Sequence, residues 1–477
     1  MSLYPLVVDL DGTLIHTDML HESLLKILAN NPFKILLVVY WLMKGKAHLK
    51  RKLANRINFD PSILPYNKVF LTWLKRQRDE GRKLILCTGT DHLIAIKIAD
   101  YLSIFDEIIA SDGITNLTGE QKAKILARRF GQDGFDYAGN SQADLMVWQY
   151  ARKAVVVNTP SKLREEIETN CRVEQIFSFC ALNSLVVCQI LRVHQWLKNL
   201  LIFVPLLAAH QLTNLIVWSH LIIAFVSFNL CASSVYVIND LMDLESDRSH
   251  PRKHQRPFAS GSAPIWLGIC LLPLLLFSSF LLAGYVGGHF MLCILIYFSV
   301  ASAYSWKLKR IILIDSLILA LLYTLRIIAG SVAANIALSF WLITFSIFLF
   351  LSLAFVKRYV ELQAHSMDKK LKINGRGYLT ADAPLIQMLG TTSGYTAVLV
   401  LALYINSEAV VRLYRMPEVI WGSIPVVLFW VNWIWLQAHR GKMHDDPLIF
   451  ALKDKASIFA GLVFSIILII GTVGWLW

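Results

Sequence analysis

YVINDLMDLESDRSHPRKHQRP, Tyr236 to Pro257, crowds acids and then bases at the end of an apolar run that begins near Leu215. The reading of this stretch decides what kind of protein the chain is. If a helix continues through it, Asp240, Asp243 and Asp247 stand at i, i+3 and i+7 on one face, with Asn239 beside them and Glu245 turned elsewhere. Three carboxylates then approach one point, and a cation between them relieves their repulsion. Hard oxygen ligands from a few carboxylates, completed by substrate phosphates, describe a Mg²⁺ site. A solvated acidic turn at a helix end is the plainer alternative, but acids crowded at the end of a membrane span point to function.

The wider composition supports a span at that place. Of 477 residues, 56% are apolar and 17% charged, with a mean hydropathy of +0.53, outside the range of soluble globular chains. The excess is uneven: up to about Asn183 charges mix with short apolar runs, whereas beyond Leu191 uncharged runs of about 20 residues recur, the length that crosses a bilayer. The expected organisation is an α/β domain over 1–165, a linker over 166–190 and an all-α membrane bundle over 191–477. Nine spans are expected, at about 197–211, 215–238, 264–284, 288–306, 311–334, 338–356, 386–406, 417–437 and 456–477. With the N-terminal domain cytosolic, the connections 239–263, 307–310, 357–385 and 438–455 hold seventeen lysines and arginines, against Arg412 and Arg415 in the outer loops. The positive-inside rule agrees with that orientation.

The net charge of +13 therefore reflects topology rather than a nucleic-acid surface, because the bases lie in loops between spans. Cys87, Cys171, Cys180, Cys188, Cys231, Cys270 and Cys293 show no metal-binding spacing and read as reduced core residues. Asp9 and Asp11 interrupt the apolar N-terminus, so no signal peptide is expected there.

NDLMDLESDR, entering a basic segment that ends RPFASG after the second expected span, resembles the first aspartate-rich motif of UbiA-type intramembrane prenyltransferases. The resemblance covers roughly 191–477 and implies that these acids hold Mg²⁺ against a diphosphate inside a helical bundle. Members that prenylate aromatic rings usually carry a second aspartate-rich motif after the sixth span. Here that place reads LAFVKRYVELQAH, with Lys357, Arg358 and Glu361. A basic pair suits direct capture of phosphate. The stretches RVHQWLKNLLIFVPLLA, YSWKLKRIILIDSLILALLYTLRIIAGSVA, VKRYVEL and DDPLIFALKDKAS resemble decaprenyl-phosphate phosphoribosyltransferases. That resemblance implies transfer of 5-phosphoribose from phosphoribosyl diphosphate (PRPP) to a polyprenyl phosphate, with release of pyrophosphate. Asp240, Asp243, Asp247 and Asn239 would hold Mg²⁺ on the leaving diphosphate. Lys198, Lys357 and Arg358 are candidates for phosphate contacts, and Glu361 for a ribose hydroxyl or for orienting the basic pair. Arg326 lies midway along an apolar run, where a charge is costly; it lines a cavity or pairs with another helix. Tyr304 and Lys307, at a span end, are either substrate contacts or interfacial anchors.

At the other end, PLVVDLDGT over 5–13 reads as a buried strand running into DLDGT, the first motif of haloacid dehalogenase-like (HAD) phosphatases. KLILCTGT supplies Thr88, LTGEQKAKIL supplies Lys122, and FDYAGNSQADLMVW supplies the acidic loop, all in that family's order. The resemblance implies Asp9 as nucleophile, Asp11 as general acid/base, Thr88 and Lys122 as phosphoryl contacts, and a second Mg²⁺ held by Asp9, Asp11 and the last loop. In that loop Asn140 replaces the expected first aspartate and leaves Asp144. Strands near 5–9, 84–88, 108–110, 136–138 and 154–157 alternate with helices, giving a doubly wound fold with a helical cap over about 15–82. In the cap, the apolar run Ile35–Met43 is too short to span a bilayer; it is a packed cap helix or a membrane-surface face.

Together the motifs lead us to expect a bifunctional integral protein of a bacterial inner membrane, with both sites cytosolic. It would build a lipid-linked phosphoribose and then remove its 5-phosphate. Two rivals remain: an aromatic prenyltransferase using prenyl diphosphate, and a lipid-phosphate carrier with a degenerate phosphatase.

Overall fold

The computed structural model describes residues 4–178, 183–367, 377–443 and 446–473. The chain divides into two compact units. One joins the residues up to Leu191 with the segment Tyr236–Pro273; the other joins Arg192–Val235 with the chain from Leu274 onward.

The sheet of the first unit is built on short segments, and β-branched residues favour strand over helix in LVV, EIIAS and KAVVV. β1 (Leu6–Val8), β2 (Leu84–Asp91), β3 (Glu107–Ser111), β4 (Asp136–Gly139), β5 (Lys153–Val157) and β6 (Val173–Phe177) form one parallel sheet in the order β3-β2-β1-β4-β5-β6. β1 is central, with Val7 opposite Ile85 on one side and Tyr137 on the other. Strand alternation divides the core. Leu6, Val8, Leu84 and Leu86 pack with α1 (Met19–Asn30), α3 (Lys46–Ala54), α4 (Lys68–Asp79) and α5 (His92–Leu102). Val7, Ile85, Tyr137 and Val156 pack with α6 (Glu120–Phe130), α7 (Leu145–Trp148) and α8 (Ser161–Asn170).

The expected linker 166–190 differs. Its first part completes α8 and supplies β6, which pairs with β5 and packs Phe177 against Phe70 and Trp73. VEQIF carries two polar residues in five and lies on a sheet edge, so its apolar signal is weak. Between α1 and α3, α2 (Ile35–Met43) buries Val38 and Trp41 while Leu36 and Met43 face outward.

Eight helices among the described residues are long and apolar enough to cross a membrane. They are Leu215–Met242, Ile265–Val286, Gly288–Trp306, Ile314–Ala333, Phe340–Ala364, Thr380–Ile405, Pro417–His439 and Lys455–Val473. The expected span at 197–211 is instead a 3₁₀ run, Val193–Phe203, continued by a short α-helix, Val204–Ala208. It forms a bent pair with Ser184–Ile190, and the total is nine only if that pair counts as one span. The break falls at Arg192, whose φ of 51° is in the left-handed region. The second unit closes on Val356, Tyr359, Leu362, Ile434 and Trp435, contributed by Phe340–Ala364 and Pro417–His439. Cys87 and Cys231 are buried as expected, but Cys188 and Cys270 are exposed on outward helix faces. Cys180, Asp445 and part of the expected 357–385 connection lie outside the described residues.

Candidate active sites

The sheet of the first unit delivers one cluster to the C-terminal ends of β1, β2 and β4, the usual place for a site in this topology. Asp9 follows β1 directly, and Lys122 Nζ donates to its Oδ1 at 2.8 Å and to the Tyr137 hydroxyl at 2.9 Å. Tyr137 donates to Asp144 Oδ1 at 2.6 Å. Asp144 Oδ2 accepts from the Asn140 and Ser141 amides at 3.1 and 3.0 Å, and from the Ser141 hydroxyl at 2.8 Å. Asp11 Oδ1 accepts the Met19 amide at 2.9 Å and Oδ2 the Thr90 hydroxyl at 2.7 Å. Gly12, at φ +74°, makes the turn possible; a Cβ there would lie 2.1 Å from Asn140 Nδ2. A cavity of about 380 Å³ opens onto Asp9, Asp11, Lys50, Thr90, Lys122 and Asn140.

Electrostatics separate the two first-motif acids. Burial pushes Asp9 up to about 6, with Lys122 pulling it back. Burial, reinforced by Asp18 and Asp9, pushes Asp11 up to about 7. Burial works against a charged Lys122, but Asp9 and Asp144 outweigh it and hold the ammonium above its ordinary range. For Asp144, burial is likewise overcome by Lys122 and by the Tyr137 and Ser141 hydrogen bonds, which keep its pKa low.

Two expectations need revision here. Thr88 is fully buried and its hydroxyl accepts from the Thr90 amide at 3.0 Å, while Gly89 and Thr90 line the cavity. The β2–β3 ladder shifts register between Thr88 and Asp91, the stretch in which Gly89 and Thr90 reach the cavity. Asp144 has both oxygens committed to Tyr137, Ser141 and Asn140, so the donor set expected for a second Mg²⁺ is short of one carboxylate. The residues present do not fit that ion well, and the groups free to act in the cavity are Asp9, Asp11 and Lys122. Lys50 and Thr90 also line the cavity without a sequence motif to mark them: Lys50 donates to Asn116 Oδ1 at 2.9 Å from a helix whose basic run reads as an ordinary solvated face.

The aspartate-rich motif lies in the same unit. The long helix ends at Met242, Asp243 adopts φ −98° and ψ 15°, and a new helix runs Leu244–Ser249. The i−4 backbone bonds nevertheless persist at Asp243 and Asp247, at 2.9 and 2.8 Å. Asp240 and Asp247 are buried, Asp243 and Asn239 half-buried. Among the described residues no three acidic, histidine or cysteine side chains gather as a metal set. Instead Arg256 Nη1 donates to Asp240 Oδ1 at 3.1 Å and to Asp247 Oδ2 at 2.6 Å. The expected convergence thus holds for two of the three acids, and a guanidinium nitrogen stands where a cation would. Two buried carboxylates meeting at one cationic point offer oxygen donors of the kind a hard divalent ion takes. Burial holds Asp247 above the usual carboxylate range even beside Arg256.

The second unit gathers a basic cluster around an acid that the sequence had not marked. Lys198 Nζ lies 2.7 Å and Lys357 Nζ 3.5 Å from the same Asp446 oxygen, and the Tyr323 hydroxyl donates to Asp446 at 3.3 Å. Burial disfavours the charge on Asp446, but Lys198 and Lys357 hold its pKa far below the ordinary value. Arg326, buried as expected, donates from Nε to Asn199 Oδ1 at 2.6 Å and from Nη2 to the Tyr297 hydroxyl at 3.2 Å, and its guanidinium lies 5.2 Å from the Tyr323 ring centre. Arg358 points elsewhere. It is fully buried, 2.8 Å from Asp315, and bonded to Glu361. The pair Lys357–Arg358 is therefore split: the lysine belongs to the cluster and the arginine to a buried ion pair, as adjacent helix positions turned about 100° apart require. Tyr304 is half-buried near a helix end and Lys307 is an exposed C-cap, neither joined to the cluster by any described contact.

Comparison with known proteins gives these clusters a setting. A protein of Sinorhizobium fredii known as uncharacterized protein y4nM is 37% identical over 459 residues, covering 96% of this chain and 89% of that protein. The nodulation protein NoeC of Azorhizobium caulinodans is 35% identical over 275 residues, covering 57% of this chain and 88% of its own. The decaprenyl-phosphate phosphoribosyltransferase of Mycolicibacterium smegmatis is 35% identical over 207 residues, 42% of this chain and 65% of that enzyme. Residues 200–475 match the model of the UbiA prenyltransferase family. An integral membrane transferase domain accordingly occupies more than half of the sequence, and the chain belongs to the UbiA prenyltransferase family.

Proposed function

We propose that the chain transfers 5-phosphoribose from PRPP to the phosphate of a polyprenyl phosphate, and that its α/β unit is a HAD-type phosphatase acting on the 5-phosphate of that product. The observation that carries the first half is the pairing of Lys198 and Lys357 on Asp446, with Arg326 held beside Tyr323. Lys357 of this cluster comes from the stretch in which an aromatic prenyltransferase would carry acids for a second metal, which favours phosphate capture. The likeness to a decaprenyl-phosphate phosphoribosyltransferase supports the same substrates.

In this scheme an oxygen of the lipid phosphate bonds to ribose C1 as the C1–O bond to the diphosphate breaks and pyrophosphate leaves. No strong base is needed, since the attacking phosphate is already ionised. Lys198 and Lys357 bind phosphate oxygens, and Asp446 keeps the two ammonium groups from repelling each other apart. Asp240 and Asp247, with Asp243 and Asn239 of the same motif, would hold a Mg²⁺ ion, which when bound would supply charge neutralisation for the leaving diphosphate. In the α/β unit an Asp9 oxygen attacks phosphorus, and Asp11 delivers a proton to the departing ribose 5-oxygen. Water activated by Asp11 then cleaves the aspartyl phosphate, releasing phosphate and restoring Asp9. Lys122 holds the phosphoryl oxygens. The basic loops support placing both sites on the cytosolic side of a bacterial inner membrane.

The test is incubation of purified protein with Mg²⁺, labelled PRPP and polyprenyl phosphate, followed by mass analysis of lipids. Label should enter the lipid fraction with release of pyrophosphate, and wild type should yield the dephosphorylated ribosyl lipid. Absence of pyrophosphate release in the presence of both substrates would exclude the transferase reading.

A further inference from the structure

The cavity that holds Asp9, Asp11 and Lys122 is not walled by the α/β sheet and its helices alone. Pro264, Ile265 and Trp266 also line it. They belong to the segment Tyr236–Pro273, which packs with the N-terminal residues as one compact unit. Ile265 begins a 22-residue helix of mean hydropathy 2.4, long enough to cross a bilayer. The first turn of a candidate span is thus a wall of the cavity.

Separate contacts hold the segment there. Arg248 pairs with Glu22 of α1 through both guanidinium arms, at 2.9 and 2.5 Å, and its Nε donates to the Ala259 carbonyl at 3.0 Å. Lys26, also on α1, pairs with Glu245. Gly261, at φ +78°, lies so close to His16 that an added Cβ would sit 2.4 Å from the histidine Cβ. The remaining walls carry Asp9, Asp11, Asp18 and Asp144 with Lys50 and Lys122, beside the smaller apolar contributions of Leu20 and Ala143, and the half-exposed indole of Trp266 adds a large apolar face. Tryptophan at a span end ordinarily settles at head-group level. Here the tryptophan of that span end is itself a lining residue of the cavity.

We propose that Pro264, Ile265 and Trp266 form a lipid-side subsite of this cavity, which selects a phosphomonoester carried on a lipid-linked sugar over the same sugar phosphate free in solution. The assignment rests on reading the cavity as a phosphatase site. With the phosphate at Asp9 and Lys122, the sugar occupies the chamber and the first apolar units of the lipid lie along Ile265 and Trp266. The tail then need not leave the bilayer for hydrolysis.

Full-length protein in nanodiscs, wild type and Trp266→Ala, is assayed on a polyprenyl-phosphoryl-5-phosphoribose and on ribose 5-phosphate. The ratio of kcat/KM for the lipid-linked over the soluble substrate should fall at least about tenfold in Trp266→Ala and be restored in Trp266→Phe, the loss expected when an aromatic contact of more than about 1.4 kcal/mol is removed. An unchanged ratio would overturn the subsite. Binding of the lipid-linked compound to full-length Asp9→Asn, with and without Trp266→Ala, reads the same wall without turnover. Binding that depends on Trp266 while wild type hydrolyses neither substrate would discard the phosphatase reading and keep the subsite. Binding indifferent to Trp266 would discard the subsite itself.

Discussion

Asp446→Asn asks whether one carboxylate assembles the two lysines. Lys198 and Asp446 expose only 10% and 8% of their side chains, so their attraction at 2.7 Å is little screened, whereas Lys357 is 34% exposed and 3.5 Å away. Removing one partner of a buried pair leaves the other charge desolvated and costs about 3–5 kcal/mol. A well-hydrated partner contributes about 0–1 kcal/mol. Asp446→Asn should therefore destabilise the second unit by about 3–5 kcal/mol and Lys357→Ala by less than about 1 kcal/mol. Lys198→Met combined with Asp446→Asn removes the orphaned charge and should recover much of the loss, giving a coupling of at least about 1.5 kcal/mol. Equilibrium unfolding in mixed micelles measures the four corners of this cycle, and PRPP turnover is followed alongside. Turnover should stay lost in the double variant, because stability returns without the phosphate-binding ammonium. Asp446→Asn within about 0.5 kcal/mol of wild type, or a double variant no better than Asp446→Asn, would refute the reasoning.

Asp240→Asn and Asp243→Asn should abolish ribose transfer while the α/β unit keeps its thermal unfolding signal; wild-type transfer by both would remove the metal assignment. Arg358→Ala, which strips Asp315 of a partner in a fully buried pair, should appear as a stability loss of about 3–5 kcal/mol rather than a raised KM for PRPP, and a folded variant with a pure KM defect would return Arg358 to the substrate. In Asp9→Asn, PRPP should still be consumed but the lipid product should keep its 5-phosphate, as mass analysis reads directly; equal phosphate release by this variant would end the sequential scheme. Burial pushes His16 down to about 4. The unfolded chain therefore takes up a proton below about pH 6.5 that the folded unit refuses. Stability is full above that pH and falls as pH drops toward 4, so His16→Gln should flatten this part of the profile, and an unchanged slope would contradict the burial.

Much of this was legible because it is local. PLVVDLDGT announces a buried strand and its acids together, and uncharged runs of span length announce themselves. What escaped the sequence depends on distant partners. VEQIF becomes a strand only because β5 offers it an edge. Asp446 gains meaning from Lys198 and Lys357, which arrive from two other parts of the chain, and Arg358 loses its apparent role to Asp315 for the same reason. The shift from Thr88 to Thr90 is a ladder irregularity, which no side-chain pattern records. Helical spacing brings Asp240 and Asp247 together, but Arg256 comes between them from a turn beyond the motif's helix, where spacing within that helix does not reach.

The discontinuity of the first unit sets an order of events during synthesis. Its sheet can form once β6 has left the ribosome, yet Glu22, Lys26 and His16 must wait for a segment that starts at Tyr236. Between the two lies most of the 28-residue apolar helix Leu215–Met242. A nascent chain therefore has to hand that helix to the insertion machinery before its first domain is finished. A fragment ending near residue 191 would present a complete sheet around an open, charged chamber with one wall missing. Such a fragment is a poor proxy for the enzyme in any assay of substrate choice.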